Sequence, residues 1–317
     1  MSKTSPQKIS SIATLFLDTP PSCIEFSHLH PSYFVIGTYF LKNPEEQKED
    51  QKEQGESQER NPSNESPPEK KSQERSGTLI LCHLHETQIK IIHTLKTAHA
   101  ILDLHFAHQK PGDERIQTNT FWTANSTGSI AEYELVFSEG TEKARIERRA
   151  VQQLYPKDVP TNPAQTPPKI PQRRYNSPPP PTPSLLLTGS YDDHIRLLRT
   201  TPRPSLLTDL NLNGGVWRLK LLSSKSGNGK WAYDILASCM HAGTRIVRLE
   251  MDGFMGGGAR FVVLAAFEEN ESMNYGSDVR PRGRDGGEEE RGEYTVVSTS
   301  FYDKRVCLWS FRDRAVG

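Results

Sequence analysis

The chain has 317 residues, enough for one large or two ordinary domains, and its 39 basic and 39 acidic residues cancel. A balanced charge gives no global field for nucleic acid or an anionic membrane surface. Hydrophobic residues make up only 34%, while 23 Pro and 22 Gly are many, and the deficit gathers in three stretches that read as insertions.

In chain order, residues 34–41, Phe-Val-Ile-Gly-Thr-Tyr-Phe-Leu, are β-branched and aromatic and predict a strand. Residues 43–75 are dominated by Glu, Gln, Lys, Ser and Pro and are expected to be disordered, because they cannot repay the entropy of ordering. Residues 76–81 predict an outgoing strand. Residues 100–106, Ala-Ile-Leu-Asp-Leu-His-Phe, alternate as a half-buried strand does. Residues 131–153, rich in Glu and Arg, read as a short surface helix. A Pro-rich tract, 156–184, reads as an extended spacer ending in Pro178–Pro181. Residues 216–221 alternate again, and 279–293 form a third insertion of Gly, Arg and Glu. With no sustained stripe of period 3.6, the prediction is an all-β chain.

One pattern returns along the chain. Residues 188–198, Thr-Gly-Ser-Tyr-Asp-Asp-His-Ile-Arg-Leu-Leu, align without a gap on 299–309, Thr-Ser-Phe-Tyr-Asp-Lys-Arg-Val-Cys-Leu-Trp. Each is a strand end, a turn carrying an Asp, and an alternating strand. Weaker copies place Thr127 and His241 at the Asp position, and Ser76–Leu81 keeps only the outgoing strand. Five such anchors at roughly blade-length spacing predict a single β-propeller domain over residues 1–317, built of WD-type repeats and incomplete as a ring.

Four cysteines, Cys23, Cys82, Cys239 and Cys307, lie far apart and signal neither zinc nor a disulfide framework. The chain shows no signal peptide, no membrane-length apolar run and no metal-spaced His pair, so a cytoplasmic protein without metal or other cofactor is expected.

Several strings are more specific than the repeat. They are Gly214-Gly215-Val216-Trp217-Arg218-Leu219-Lys220, Ala237-Ser238-Cys239-Met240-His241-Ala242-Gly243, Gly189-Ser190-Tyr191-Asp192, Ile36-Gly37-Thr38-Tyr39, Ser272-Met273-Asn274-Tyr275-Gly276, and Ser298–Asp303 with Leu308-Trp309. Together they resemble the WD-repeat diphthine methylesterase family. The resemblance implies a seven-bladed propeller and a hydrolase acting on translation elongation factor 2. Its expected substrate is a modified histidine bearing a trimethylated amino group and a methyl ester, cleaved to the free acid for later amidation. The sequence departs from the family where a further blade is expected between 127 and 192. It departs also at Asn270, where a His is common, and at Leu198, where a blade Trp is usual.

No G-x-S-x-G elbow or H-E-x-x-H pair is present, so catalytic groups are expected to converge from different blades. His241 is the first candidate for a general base, the alternative being a turn histidine bonding backbone. Asp192 and Asp303 read as turn residues, with orientation of His241 as a second role. Ser272 is a candidate nucleophile. Trp217 and Arg218, with Tyr191, Tyr275 and Tyr302, are candidates to bind the trimethylammonium group by cation–π attraction, against a reading in which Trp217 packs between blades. The alternative function is a non-catalytic scaffold whose rim binds proteins.

Overall fold

A computed structural model describes residues 5–41, 75–107, 119–138, 144–153, 185–201, 203–253, 257–281 and 293–313. The expected insertions at 43–75, 156–184 and 279–293 fall almost wholly outside these residues. Among the described residues all regular structure is β. The N-terminal strands are β1 (Gln7–Ile9) and β2 (Ala13–Phe16). The first sheet holds β3 (Pro21–Phe26), β4 (Tyr33–Thr38), β5 (Phe40–Leu41), β6 (Arg75–His85) and β7 (Gln88–Thr97). The second holds β8 (Ile101–Phe106), β9 (Thr120–Asn125), β10 (Ser129–Phe137) and β11 (Ala144–Gln153). The third is β12 (Leu185–Gly189), β13 (His194–Arg199) and β14 (Ser205–Asn211). The fourth runs through β15 (Val216–Gly227), β16 (Lys230–Cys239), β17 (Gly243–Asp252) and β18 (Gly257–Phe267). The fifth is β19 (Ser277–Val279), β20 (Glu293–Ser300) and β21 (Arg305–Arg312).

Within each sheet, chain neighbours pair antiparallel, as in propeller blades. The N-terminus is the exception. Strand β2 crosses to pair with β21 in the fifth sheet, and β1 pairs parallel with β18 in the fourth. No sheet is stable alone, because each has two faces to bury. Four apolar clusters supply the cover. Cys23, Val35, Leu79 and Leu81 pack on Ile101, Leu104, Phe121 and Tyr133, joining the first and second sheets. The fifth packs on the first through Val297, Val306 and Leu308 against Ile24, Phe26 and Phe34. Third and fourth meet at Ile195, Leu197, Val216 and Val247, and fourth and fifth at Ile246, Phe267, Val296 and Trp309.

Among the described residues no such cluster joins the second sheet to the third. Their outward faces carry Trp122 and Ile130 on one side and Leu186 and Leu206 on the other, all exposed. This interval falls between the anchors at 127 and 192, and residues 154–184 within it lie outside the described residues. Among the described residues there are five sheets, and their arc is open there.

Residues 131–153 are not a helix. The described ones among them form most of β10 and all of β11, with Ala131, Tyr133 and Leu135 buried at every second position and Ala144 and Ile146 likewise. The buried set follows period two, and the intervening Glu and Arg side chains form ion pairs such as Arg149 with Glu134 across the two strands. Charge content, which suggested a helix, reports only the exposed face.

Candidate functional site

Four of the five sheets begin at the ring axis with an inner strand, and three of these strands carry the same irregularity. Pro21 pairs with Thr38 and Cys23 with Gly37, leaving Ser22 extra. Ile101 pairs with Asn125 and Asp103 with Ala124, leaving Leu102 extra. Val216 pairs with Cys239 and Arg218 with Ser238, leaving Trp217 extra. In the fifth sheet the Gly276 carbonyl accepts from Thr299 N–H and the Met273 carbonyl from Phe301 N–H, again with one extra residue on the inner side, beside Tyr275. A bulge turns its extra side chain out of the pleat. Here Ser22, Leu102, Trp217 and Tyr275 all line one cleft of about 440 Å³.

Turn residues complete the wall of this cleft. Tyr39, Phe301 and Tyr302 line it, with Pro20 and Leu41. The rings meet edge to face in a chain: Tyr191 to Trp217 at 5.7 Å, Trp217 to Tyr275 at 5.3 Å, Tyr275 to Phe301 at 5.2 Å, and Phe301 to Tyr302 at 5.0 Å. Tyr191, Trp217 and Tyr302 are largely exposed, so this is a cup of aromatic faces open to solvent. Burial pushes the Tyr275 hydroxyl above its ordinary range, with Tyr302 and Tyr191 adding to the effect.

One residue past the bulges stand Cys23, Asp103, Arg218 and Gly276; three past them stand Glu25, His105, Lys220 and Asp278. The equivalent position thus places two acids and two bases around the axis. The Arg218 guanidinium donates to Asp103 at 2.7 Å. The His105 ring lies 3.2 Å from Glu25 and 3.4 Å from Asp103, and Lys220 pairs with Asp278 and lies 3.8 Å from Glu25. Hydrogen bonds to Asp103 and then Glu25 raise the His105 pKa to about 10, so it is a cation at neutral pH. Burial pushes the Asp103 carboxyl up, but His105 and Arg218 outweigh it and hold it below the usual range. Burial also raises Asp278, only partly opposed by Lys220.

The structure brings Trp217, Tyr191, Tyr275 and Tyr302 together. Arg218 lies one residue along the same strand, committed to Asp103. Ser272 adjoins the cup: it donates to Asp303 at 2.9 Å and accepts from the Tyr302 N–H at 2.8 Å. Asp303 also accepts from the Glu271 N–H at 3.3 Å, which ties two turns together. Asp192 is held by both guanidinium nitrogens of Arg196, which depress its pKa well below the carboxylate range. His241 stands elsewhere than its aspartate counterparts. The turn joining Cys239 to Gly243 has three residues, against four in the turns at 190–193 and 301–304, so His241 sits at its tip, exposed. Gly243 makes this turn possible: its φ is +78° and an added Cβ would lie 2.3 Å from the Phe267 carbonyl. Among the described residues His241 forms no hydrogen bond or ion pair with Asp192, Asp303 or Ser272.

His105, Glu25, Lys220 and Asp278 were not singled out in sequence as site residues. Their shared offset from the bulges is the signal that finds them. Among the described residues no group of three or more His, Cys, Asp or Glu is placed to hold a metal ion, and no helix is long and apolar enough to cross a membrane.

No family model matches the chain. Diphthine methyltransferase of Schizosaccharomyces pombe is 34% identical over 124 residues, 39% of this chain and 32% of that protein. The human protein of the same name is 34% identical over 94 residues, 30% of this chain and 19% of its own length. The chain therefore spans about a third of the first relative and less of the second. Sqt1 of Chaetomium thermophilum matches with a TM-score of 0.39 and 8% identity, over 96% of this chain and 100% of that one. Across the matched residues the chain is similar to the proteins named diphthine methyltransferase.

Proposed function

We propose that this protein hydrolyses the methyl ester of methylated diphthine on translation elongation factor 2, in the cytoplasm, releasing methanol and leaving the free carboxylate. The aromatic cup carries this reading. A trimethylammonium group has no N–H to donate, so it is bound by ring faces rather than by hydrogen bonds, and desolvated cation–π contacts of this kind are worth about 2 kcal/mol. Arg218, next to Trp217, gives one guanidinium nitrogen to Asp103, and its other N–H groups are the candidate donors to the ester carbonyl and the carboxylate product. Water adds to the carbonyl carbon, the bond to the methoxy oxygen breaks, and methanol leaves with a proton. Ser272 with Asp303 is the hydroxyl–carboxylate pair that adjoins the cup through Tyr302, and His241 is the candidate proton acceptor, which Asp192 would orient only on leaving Arg196.

The test is incubation with elongation factor 2 carrying methylated diphthine, followed by intact mass. Loss of the methyl is expected from the wild-type chain. Trp217→Ala should raise KM about thirtyfold at unchanged kcat, since ~2 kcal/mol of binding is lost. Among the others, Ser272→Ala, Asp303→Asn and His241→Ala separate the catalytic assignments by loss of kcat. A second reading, a non-catalytic ring that binds a protein, is favoured by two observations. The Ser272 hydroxyl already serves as acceptor and donor in the turn, and Asp192 is locked by Arg196. Absence of methyl loss with retained binding of elongation factor 2 selects it.

A further inference from the structure

The third sheet differs from the other four in what borders the axis. Strand β12 leads into the turn Ser190–Asp193, just as β20 leads into the turn Phe301–Lys304, so β12 is the second strand of its blade. In the fifth sheet the inner strand β19 covers the edge of β20, and the Thr299 N–H donates to the Gly276 carbonyl at 2.9 Å. The counterpart of Thr299 in the repeat is Thr188. Among the described residues no strand lies on that edge of β12, and the third sheet has only β12, β13 and β14. Because residues of a strand alternate in the side they bond to, Leu186 and Thr188 share the uncovered edge, while Leu187 faces Leu197 of β13.

An open edge is a row of donors and acceptors at strand spacing, and extended peptides bind such rows by adding a strand. The chain's own candidate is poorly suited. In every other blade the inner strand directly precedes the second strand, and here residues 154–184 precede Leu185 with 11 prolines among them. Proline has no N–H to give a ladder. The edge also runs straight into the cup: the Ser190 carbonyl accepts from the Val216 N–H at 2.9 Å, and Tyr191 packs on Trp217.

We infer that an extended segment of the protein substrate pairs with the Leu185–Gly189 edge as the missing inner strand, which delivers its modified side chain to the aromatic cup. This rests on the esterase reading for the identity of the substrate. A strand covering five residues spans about 17 Å, so four to six residues of substrate backbone take part. Main-chain pairing gives affinity without demanding a sequence, and the cup supplies selectivity through the single modified residue.

Two measurements on the full chain test this. In amide exchange, elongation factor 2 with methylated diphthine should slow Leu186 and Thr188 about tenfold or more, with Leu187 already slow in the free protein. In hydrolysis, a nine-residue peptide centred on methylated diphthine should lose about tenfold or more in kcat/KM when N-methylated at alternate positions in one phase, and little in the other. Equal rates in both phases with ester loss intact overturn the edge pairing and leave the esterase reading standing. Protection of Leu186 and Thr188 without any ester loss supports the edge pairing and removes the esterase reading. Protection in the free protein that rises with its own concentration overturns the inference, because a second copy then holds the edge.

Discussion

His105 is the residue whose chemistry is least like its free form. Its ring nitrogens reach two carboxylates from β3 and β8, and its folded-state pKa is about 10. A group with a raised folded pKa contributes stability that is fully present below the unfolded value, near 6.5, and is lost as pH rises through the folded one. Stability should therefore fall between about pH 6.5 and 10, and a His105→Gln variant should flatten that decline in urea melts run across the range. An imidazole signal that titrates near 6.5 in a nitrogen-detected NMR experiment would refute the assignment. The four thiols behave oppositely. Burial pushes Cys23, Cys82 and Cys239 up to about 12 and Cys307 to about 11. A thiol held protonated and enclosed is a poor nucleophile, so iodoacetamide should label none of them in the folded protein and all four in guanidinium. The aromatic members of the cup were visible in sequence because Trp217, Tyr191, Tyr275 and Tyr302 stand beside turn residues with no apolar pattern to absorb them. His105 was not visible. Its partner Glu25 lies some eighty residues upstream, where the Phe106 N–H also bonds it, and no local spacing encodes a contact across the ring axis.

At the scale of the element, the bulge is the unit that makes the site. A regular strand would send Ser22, Leu102 and Trp217 alternately to blade faces; one extra residue aims each at the mouth of the ring instead. Alternation in the sequence gave away the strands but not the bulges, because a bulge shifts register by one and both registers look apolar in a doubly buried strand. The same blindness to partners produced the helix reading of 131–153. A different element-level device fixes the fourth and fifth sheets. Arg248 on β17 donates to Asp234 on β16 at 2.7 Å and to Asp313 at 2.6 Å, all three largely buried, and Asp234 also accepts from Ser223 at 3.0 Å. Removing one partner of a buried pair strands the other's charge. Asp234→Asn should cost about 3–5 kcal/mol in denaturant unfolding, against little for Glu293→Gln, whose partner Arg312 is exposed. Similar losses at the two positions would mean that Arg248 finds other partners or water.

For the whole molecule, the open interval between the second and third sheets governs behaviour in solution. Four clusters hold five sheets, so the outermost faces of this arc keep Leu186, Leu206, Trp122 and Ile130 in water. Placing charge there removes no buried contact. A Leu206→Glu variant should change unfolding free energy by less than about 1 kcal/mol while lowering binding of a hydrophobic dye and raising the concentration at which the protein scatters light. A loss of several kcal/mol would instead show that these side chains are covered in solution. The repeat made the blade architecture legible, since the anchors at 127, 241 and 303 each stand at the turn that follows the second strand of a sheet.

The crossing of β2 to β21 sets a schedule as well as a shape. Thr14 meets Cys307 across 293 residues of chain. During synthesis, sheets one to four can assemble from neighbours as they leave the ribosome, with β1 joining β18, but β2 must wait, unpaired, for β21. The final sheet is thus a latch made from both ends of the described chain. Its formation is the slowest contact by loop closure, and a ribosome-stalled chain ending before β21 should show protease cleavage near residues 13–16 that the released protein resists.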